Sequence, residues 1–257
     1  MKTLLTIGTS HVESGWDFGD IRHNMTQYAP HELFFKTWPG YLQTKLTDTR
    51  VINLGVSGHG IDWIIARTHI AIDYFNPDII ILEFPSITRF SMTNEKYPYV
   101  TNSEFGIYDI SHVQTQDEYY RNQEIGNRYV LTAGIVKGKS QKVFHRTWLE
   151  NIDEFTFINH LYKFKMLCNY VEQKGIQLHS FAVNSDSFVL DDFKKKVDTN
   201  IPTHVHKRDI QGIIEQMDAW TMSKDGSGHA GWKSEKWMVD NIFVPSINKM
   251  KLSKDFD

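Results

Sequence analysis

Leu4-Leu5-Thr6-Ile7-Gly8-Thr9-Ser10-His11 is an apolar run that breaks at a glycine and delivers a serine. The run predicts a short buried strand, with Gly8 to Ser10 forming the turn at its carboxyl end. In an open parallel sheet, ligands bind outside the carboxyl ends of the strands. Ser10 is therefore the candidate nucleophile, and the rest of the chain can be read for what it supplies to a serine in that place.

Working outward, Glu13 to Asp20 reads as a polar loop and Trp38 to Leu46 as a helix opened by Pro39. Val51-Ile52-Asn53-Leu54 predicts a second strand, ending in the glycine-rich turn Gly55 to Gly60. Ile61, Ile64, Ile65, Thr68, Ile72 and Phe75 recur at helical spacing, and Asn76-Pro77-Asp78 stops that helix. Ile79-Ile80-Ile81-Leu82 is unbroken apolar sequence, as a parallel strand covered on both faces requires. Strand, helix, strand, helix, strand is the rhythm of a parallel α/β sheet with right-handed crossovers.

From Ser91 to His145 the rhythm is lost in sequence rich in Asn, Gln, Ser, Thr, Tyr and Gly. Residues 91–145 read as an insertion or lid over the sheet edge, with some helix around Gln116 to Tyr129. Trp148 to Glu172 returns to helical period, with Phe155, Ile158, Tyr162, Lys165/Met166 and Asn169/Tyr170 winding round one side. Gly175 caps that helix, and Ile176 to Val183 predicts a fourth strand. Asp209 to Met217 reads as a short helix, Asp218 to Trp232 as a loop, and Ser234 to Met250 as the closing helix. Residues 1–257 are expected to form one domain containing the insertion.

The composition agrees with one substantial core: 257 residues, 40% hydrophobic, with seven Trp. A net charge of −3 offers no electrostatic basis for a nucleic-acid partner. No apolar run approaches a membrane span, and the stretch after Lys2 is too short for a signal-peptide core. A cytoplasmic protein without a membrane partner is expected. The one cysteine, Cys168, excludes an intrachain disulfide and reads as a core residue.

A serine nucleophile needs a base, a group that orients the base, and donors for the developing oxyanion. Asp225-Gly226-Ser227-Gly228-His229 supplies the first two: the small residues allow a tight turn that brings the carboxylate to the imidazole. This loop precedes the closing helix, which places it on the same sheet edge as Ser10. Gly58 follows the second strand, and Ser86 and Arg89 follow the third, so all of them converge on one rim. Thr203-His204-Val205-His206 has metal-ligand spacing but no acid or cysteine cluster beside it, so no metal is expected. No other cofactor is expected either. Gly55-Val56-Ser57-Gly58-His59 approaches a G-x-S-x-G elbow, but His59 stands where the second glycine belongs.

On these residues the sequence resembles the SGNH/GDSL hydrolase superfamily. Gly8-Thr9-Ser10 stands where its Gly-Asp-Ser block would, with threonine for aspartate. Asn53-Leu54-Gly55-Val56-Ser57-Gly58 is similar to its glycine block, and Asp225 to His229 to its Asp-x-x-His block with one extra residue. Its Gly-x-Asn-Asp block has no counterpart in Glu83-Phe84-Pro85-Ser86-Ile87-Thr88-Arg89, which lacks asparagine. The resemblance runs from Thr3 to Ile247, the insertion excluded.

It implies a three-layer α/β/α flavodoxin-like fold with a parallel sheet of about five strands, and ester hydrolysis through an acyl-enzyme on Ser10. The oxyanion donors it implies are the N–H groups of Ser10 and Gly58, with Ser86 or Arg89 as substitutes for the missing third. The expected partner is a small-molecule or carbohydrate ester. The competing expectation is a binding or structural module that kept the fold and lost the complete site, as in a phage or accessory protein.

Overall fold

The computed structural model describes residues 1–13, 35–55, 60–84, 90–91, 130–131, 154–182 and 229–254. In chain order the described elements are β1 (Lys2–Gly8), α1 (Ser10–Glu13), α2 (Trp38–Lys45), β2 (Thr49–Gly55), α3 (Ile61–Phe75) and β3 (Ile79–Phe84). Then come β4 (Phe90–Ser91), β5 (Val130–Leu131), α4 (Glu154–Gln173), β6 (Gln177–Ala182), α5 (Trp232–Met238) and α6 (Val244–Lys254). A single π-helical turn, Val239–Phe243, joins α5 to α6.

Four described strands form one parallel sheet in the order β2-β1-β3-β6. Its register pairs Gly8 with Gly55 and Ile7 with Leu82, so β1, β2 and β3 reach the same edge together. The alternation of side chains along each strand feeds two cores. Leu5, Ile7, Ile52, Leu54, Ile80 and Leu82 pack with Ile61, Ile64 and Ile72 of α3 and Phe164, Leu167, Cys168 and Val171 of α4. Leu4, Val51, Ile79, Ile81 and Phe181 face the other way, onto Trp38 and Leu42 of α2 and Val239, Phe243 and Ile247 of the closing helix. The result is the expected three-layer α/β/α arrangement.

The chain moves one way from β1 to β2 and the opposite way from β2 to β3. Right-handed crossovers therefore send α2 and α3 to opposite faces. That reversal puts a crevice at the carboxyl ends of β1 and β3.

Local chemistry sets the element ends. Thr37 caps α2 by accepting from Gly40 N at 3.2 Å, and Pro39 occupies the first turn, where its missing N–H costs nothing. Gln43 stitches α2 to β2, donating to the Thr49 carbonyl at 2.6 Å and accepting from Val51 N at 2.7 Å. Helix α3 ends at Asn76 in the left-handed region (φ 44°), its N–H bonded to the Ile72 carbonyl. Helix α4 ends at Gly175 (φ 70°), a position that suits the residue without a Cβ.

Three expectations are corrected. Glu13 belongs to α1, not to the loop after it. The buried face of α4 is His160, Phe164, Leu167, Cys168 and Val171, while Tyr162 and Met166 are exposed. Apolar residues on both sides of this helix leave its period ambiguous, and the volume against Ile80 and Leu82 selects the Phe164 side. Trp232 opens the closing helix, whereas the sequence predicts it in the preceding loop.

Ser91 pairs with Val130 and Phe90 with Leu131, antiparallel. The remaining sequence between these strands, the predicted helix at Gln116 to Tyr129, the helix at Asp209 to Met217 and the 203–206 histidine pair lie outside the described residues. Among the described residues no helix is long and apolar enough to cross a membrane, and no group of three metal-binding side chains occurs.

Candidate active site

Strand β1 brings the chain to the crevice, and its last residue is held there by close packing. A Cβ on Gly8 would lie 2.5 Å from Glu83 Cβ, Glu83 Oε2 and Val12 Cγ2, so only glycine lets β3 and α1 approach this closely. Glu83 stands beside it on β3 and is buried. Its carboxylate accepts from Thr9 N at 2.6 Å through Oε2, and from the Thr9 hydroxyl at 2.6 Å through Oε1. Burying a carboxylate is costly unless its oxygens are hydrogen-bonded, and these two short bonds offset that cost. The turn that presents Ser10 is thus clamped from the neighbouring strand.

Ser10 is the first residue of α1, one position beyond that clamp. Val12 N donates to the Thr9 carbonyl at 3.0 Å and closes the turn. Trp38, fully buried on α2, donates its indole N–H to the His11 carbonyl at 2.8 Å. The backbone on both sides of Ser10 therefore has a fixed partner.

His229 lies at the same place. Its ring centroid is 4.9 Å from that of His11, with the planes tilted by 51°. The ring is brought there by the chain that follows it: Ala230 is buried, Gly231 caps α5, and α5 packs against α2. The backbone of Ser10 and the ring of His229 come to the same end of the sheet, by way of His11. Gly58, Ser86, Arg89 and Asp225 lie outside the described residues.

The flanks of the crevice are also built. Asn53 Oδ1 accepts from Gly55 N at 2.9 Å and from the Thr6 hydroxyl at 3.3 Å, fixing the end of β2. Asp62, in the first turn of α3, bonds Lys163 of α4 at 2.7 Å and lies 3.8 Å from His160 Nε2. Burial holds the His160 imidazole below its usual range; Asp62 opposes that shift and Lys163 adds to it. Cys168 is inert by the same logic, its thiol pushed up to about 12 by burial.

Sequence reasoning missed Glu83. A glutamate ending the run Ile79-Ile80-Ile81-Leu82 was the available signal, since an acid in a strand buried on both faces needs a buried partner.

By sequence, neither a family model nor a curated protein matches the chain. By structure, the chain is similar to the psychrotrophic esterase EstA from Pseudoalteromonas sp., with a TM-score of 0.50 and 14% identity over 97% of this chain and 98% of that one. A lower similarity, TM-score 0.40 and 13% identity over 93% and 90%, links it to Axe2, an acetylxylan esterase from Geobacillus stearothermophilus. At such identities the likeness is one of architecture: the chain has the three-layer α/β/α fold of the esterase EstA.

Proposed function

We propose that the protein is a serine ester hydrolase acting through an acyl-enzyme on Ser10. The observation that carries this reading is the His229 ring beside His11, which delivers an imidazole from the end of the chain to the residue after the serine. EstA, whose fold the chain shares, is an esterase.

In this reading Ser10 Oγ attacks the ester carbonyl while His229 takes its proton. The tetrahedral intermediate collapses, the carbon–oxygen bond to the leaving alcohol breaks, and the imidazolium returns the proton to that oxygen. Water then repeats the sequence on the acyl-enzyme and releases the acid. Asp225 orients His229, and the N–H groups of Ser10 and Gly58 receive the oxyanion. Ser86 or Arg89 stands in for a third donor. Loss of one such donor typically costs on the order of 10²–10³ in turnover, so the absent asparagine slows this chemistry without abolishing it. The substrate class is a short acyl or acetyl ester, on a small alcohol or a carbohydrate.

A second reading, a binding module on the same fold, draws on that absent asparagine. Hydrolysis of p-nitrophenyl acetate and butyrate by wild type, Ser10→Ala and His229→Ala separates the two. The hydrolase reading expects turnover that both substitutions reduce by at least about 10³. Wild type no faster than either variant, with no labelling of Ser10 by a fluorophosphonate, would establish the module.

A further inference from the structure

We infer that Glu83 is a positioning residue for the oxyanion hole, acting through Thr9 to set the direction of the Ser10 N–H. This role rests on the hydrolase reading of Ser10.

A peptide unit is planar and trans, so a carbonyl held at one end fixes the N–H at the other. The unit between Thr9 and Ser10 is held at its carbonyl, which accepts from Val12 N at 3.0 Å. The Ser10 N–H therefore points the opposite way, a direction set by the backbone alone. The unit between Gly8 and Thr9 is held at its N–H, which donates to Glu83 Oε2 at 2.6 Å. The two soft angles of Thr9 relate these two planes, and with both planes held neither angle drifts without breaking a bond. The Thr9 hydroxyl, donating to Glu83 Oε1 at 2.6 Å, adds a second tie to the same carboxylate.

The acceptor is itself fixed. Glu83 lies in β3 in register with Phe181 of β6, and its neighbour Leu82 pairs with Ile7 of β1. Its side chain is buried, and the missing Cβ of Gly8 lets it come against β1. An ionised carboxylate only accepts, which suits the two donors of Thr9. A donor aimed in advance at the place where charge develops stabilises the transition state and leaves ground-state binding alone. Removing such a donor costs on the order of 10²–10³ in turnover; one left in place but turned aside loses part of that, about ten- to a hundredfold.

The test compares Glu83→Ala and Glu83→Gln with wild type. The readings are kcat and KM for p-nitrophenyl acetate, inhibition by phenylboronic acid, whose serine adduct is tetrahedral, and the 1H–15N resonance of the Ser10 amide. Glu83→Ala is expected to lower kcat about ten- to a hundredfold at unchanged KM, to weaken boronate inhibition by a similar factor, and to displace the Ser10 resonance. Glu83→Gln keeps an oxygen for the Thr9 amide and is expected to recover most of the loss. If Glu83→Ala does not fold, Glu83→Asp carries the same comparison, because it keeps the charge and draws the oxygens back by one methylene. Wild-type kcat in the shortened variant would overturn the inference. So would a lower kcat with the Ser10 resonance and the boronate inhibition unchanged, because Glu83 would then act elsewhere. Glu83→Gln as slow as Glu83→Ala would also overturn it, since charge and not the bond to Thr9 would be what matters. If wild type shows no Ser10-dependent turnover, the hydrolase reading falls and the oxyanion role falls with it. The spectra still decide the backbone claim in that case: a Ser10 amide unmoved by loss of the Glu83 carboxylate would overturn the positioning itself.

Discussion

The threonine at position 9 is explained by what it touches. Its amide and its hydroxyl both donate to Glu83, at 2.6 Å each. An aspartate there, as in the Gly-Asp-Ser block the segment resembles, would set a second carboxylate against a buried one, and like charges in that setting repel strongly. The substitution and the buried acid are thus one feature. Glu83→Ala would leave the Thr9 N–H without its acceptor and is expected to destabilise the fold by about 3 kcal/mol. Thr9→Val removes only the hydroxyl bond and should cost roughly half as much. Glu83→Gln keeps an oxygen for the amide and lets the Thr9 hydroxyl turn to accept, so it should fall below the alanine variant. Urea unfolding of the three variants reads this order, and an alanine variant no worse than Thr9→Val would remove the clamp from the account.

At the scale of elements, the α3–α4 contact carries a titratable group whose sign can be worked out. His160 is buried, and burial lowers its affinity for a proton in the folded state relative to its ordinary value of 6.5. Below that value the unfolded chain binds the proton more readily than the native one, so stability is full above about pH 6.5 and falls as the pH drops. His69, half-buried on α3, is shifted the same way by burial and contributes with the same sign. Chemical denaturation between pH 7.5 and 5 should therefore show a steeper loss in wild type than in His160→Gln. Equal slopes would mean that His160 is protonated as easily in the native state as in the unfolded one.

The elements themselves were largely legible. Ile61 to Phe75 matches α3 residue for residue because a glycine-rich turn and Asn76-Pro77 punctuate both ends. The face of α4 was not legible, since Tyr162 and Met166 are apolar enough to read as core and are exposed. Helical spacing likewise gives no sign that Arg67 on α3 is buried. Such burial depends on what packs over the helix, which no local pattern encodes. For the site, strand ends and chain order set Ser10 and His229 on one rim as an expectation. The Glu83–Thr9 bonds and the contact of His11 with His229 needed coordinates, because they join residues far apart in the chain.

At the scale of the whole molecule, the candidate site is assembled from the two ends of the chain, and one side chain joins them. Trp38 is buried in the layer of α2, donates to the His11 carbonyl beside Ser10, and stacks on Phe243 in the π-helical turn of the closing helix. Phe181 of β6 completes the aromatic cluster, its ring 5.3 Å from that of Phe243. A π-turn widens the helix locally and re-aims the side chains around it, and here Phe243 lies within that turn. Truncating a buried tryptophan typically costs about 3–5 kcal/mol, and here it also cuts the link between the ends. Trp38→Ala is therefore expected to speed amide hydrogen exchange in two distant stretches together, the segment around α1 and the closing helix Trp232 to Lys254, while the amides of β3 stay protected. Hydrogen-exchange mass spectrometry under native conditions resolves these segments. Faster exchange confined to α2 would show that Trp38 only fills space, and that the two halves of the site are held together by the rest of the core.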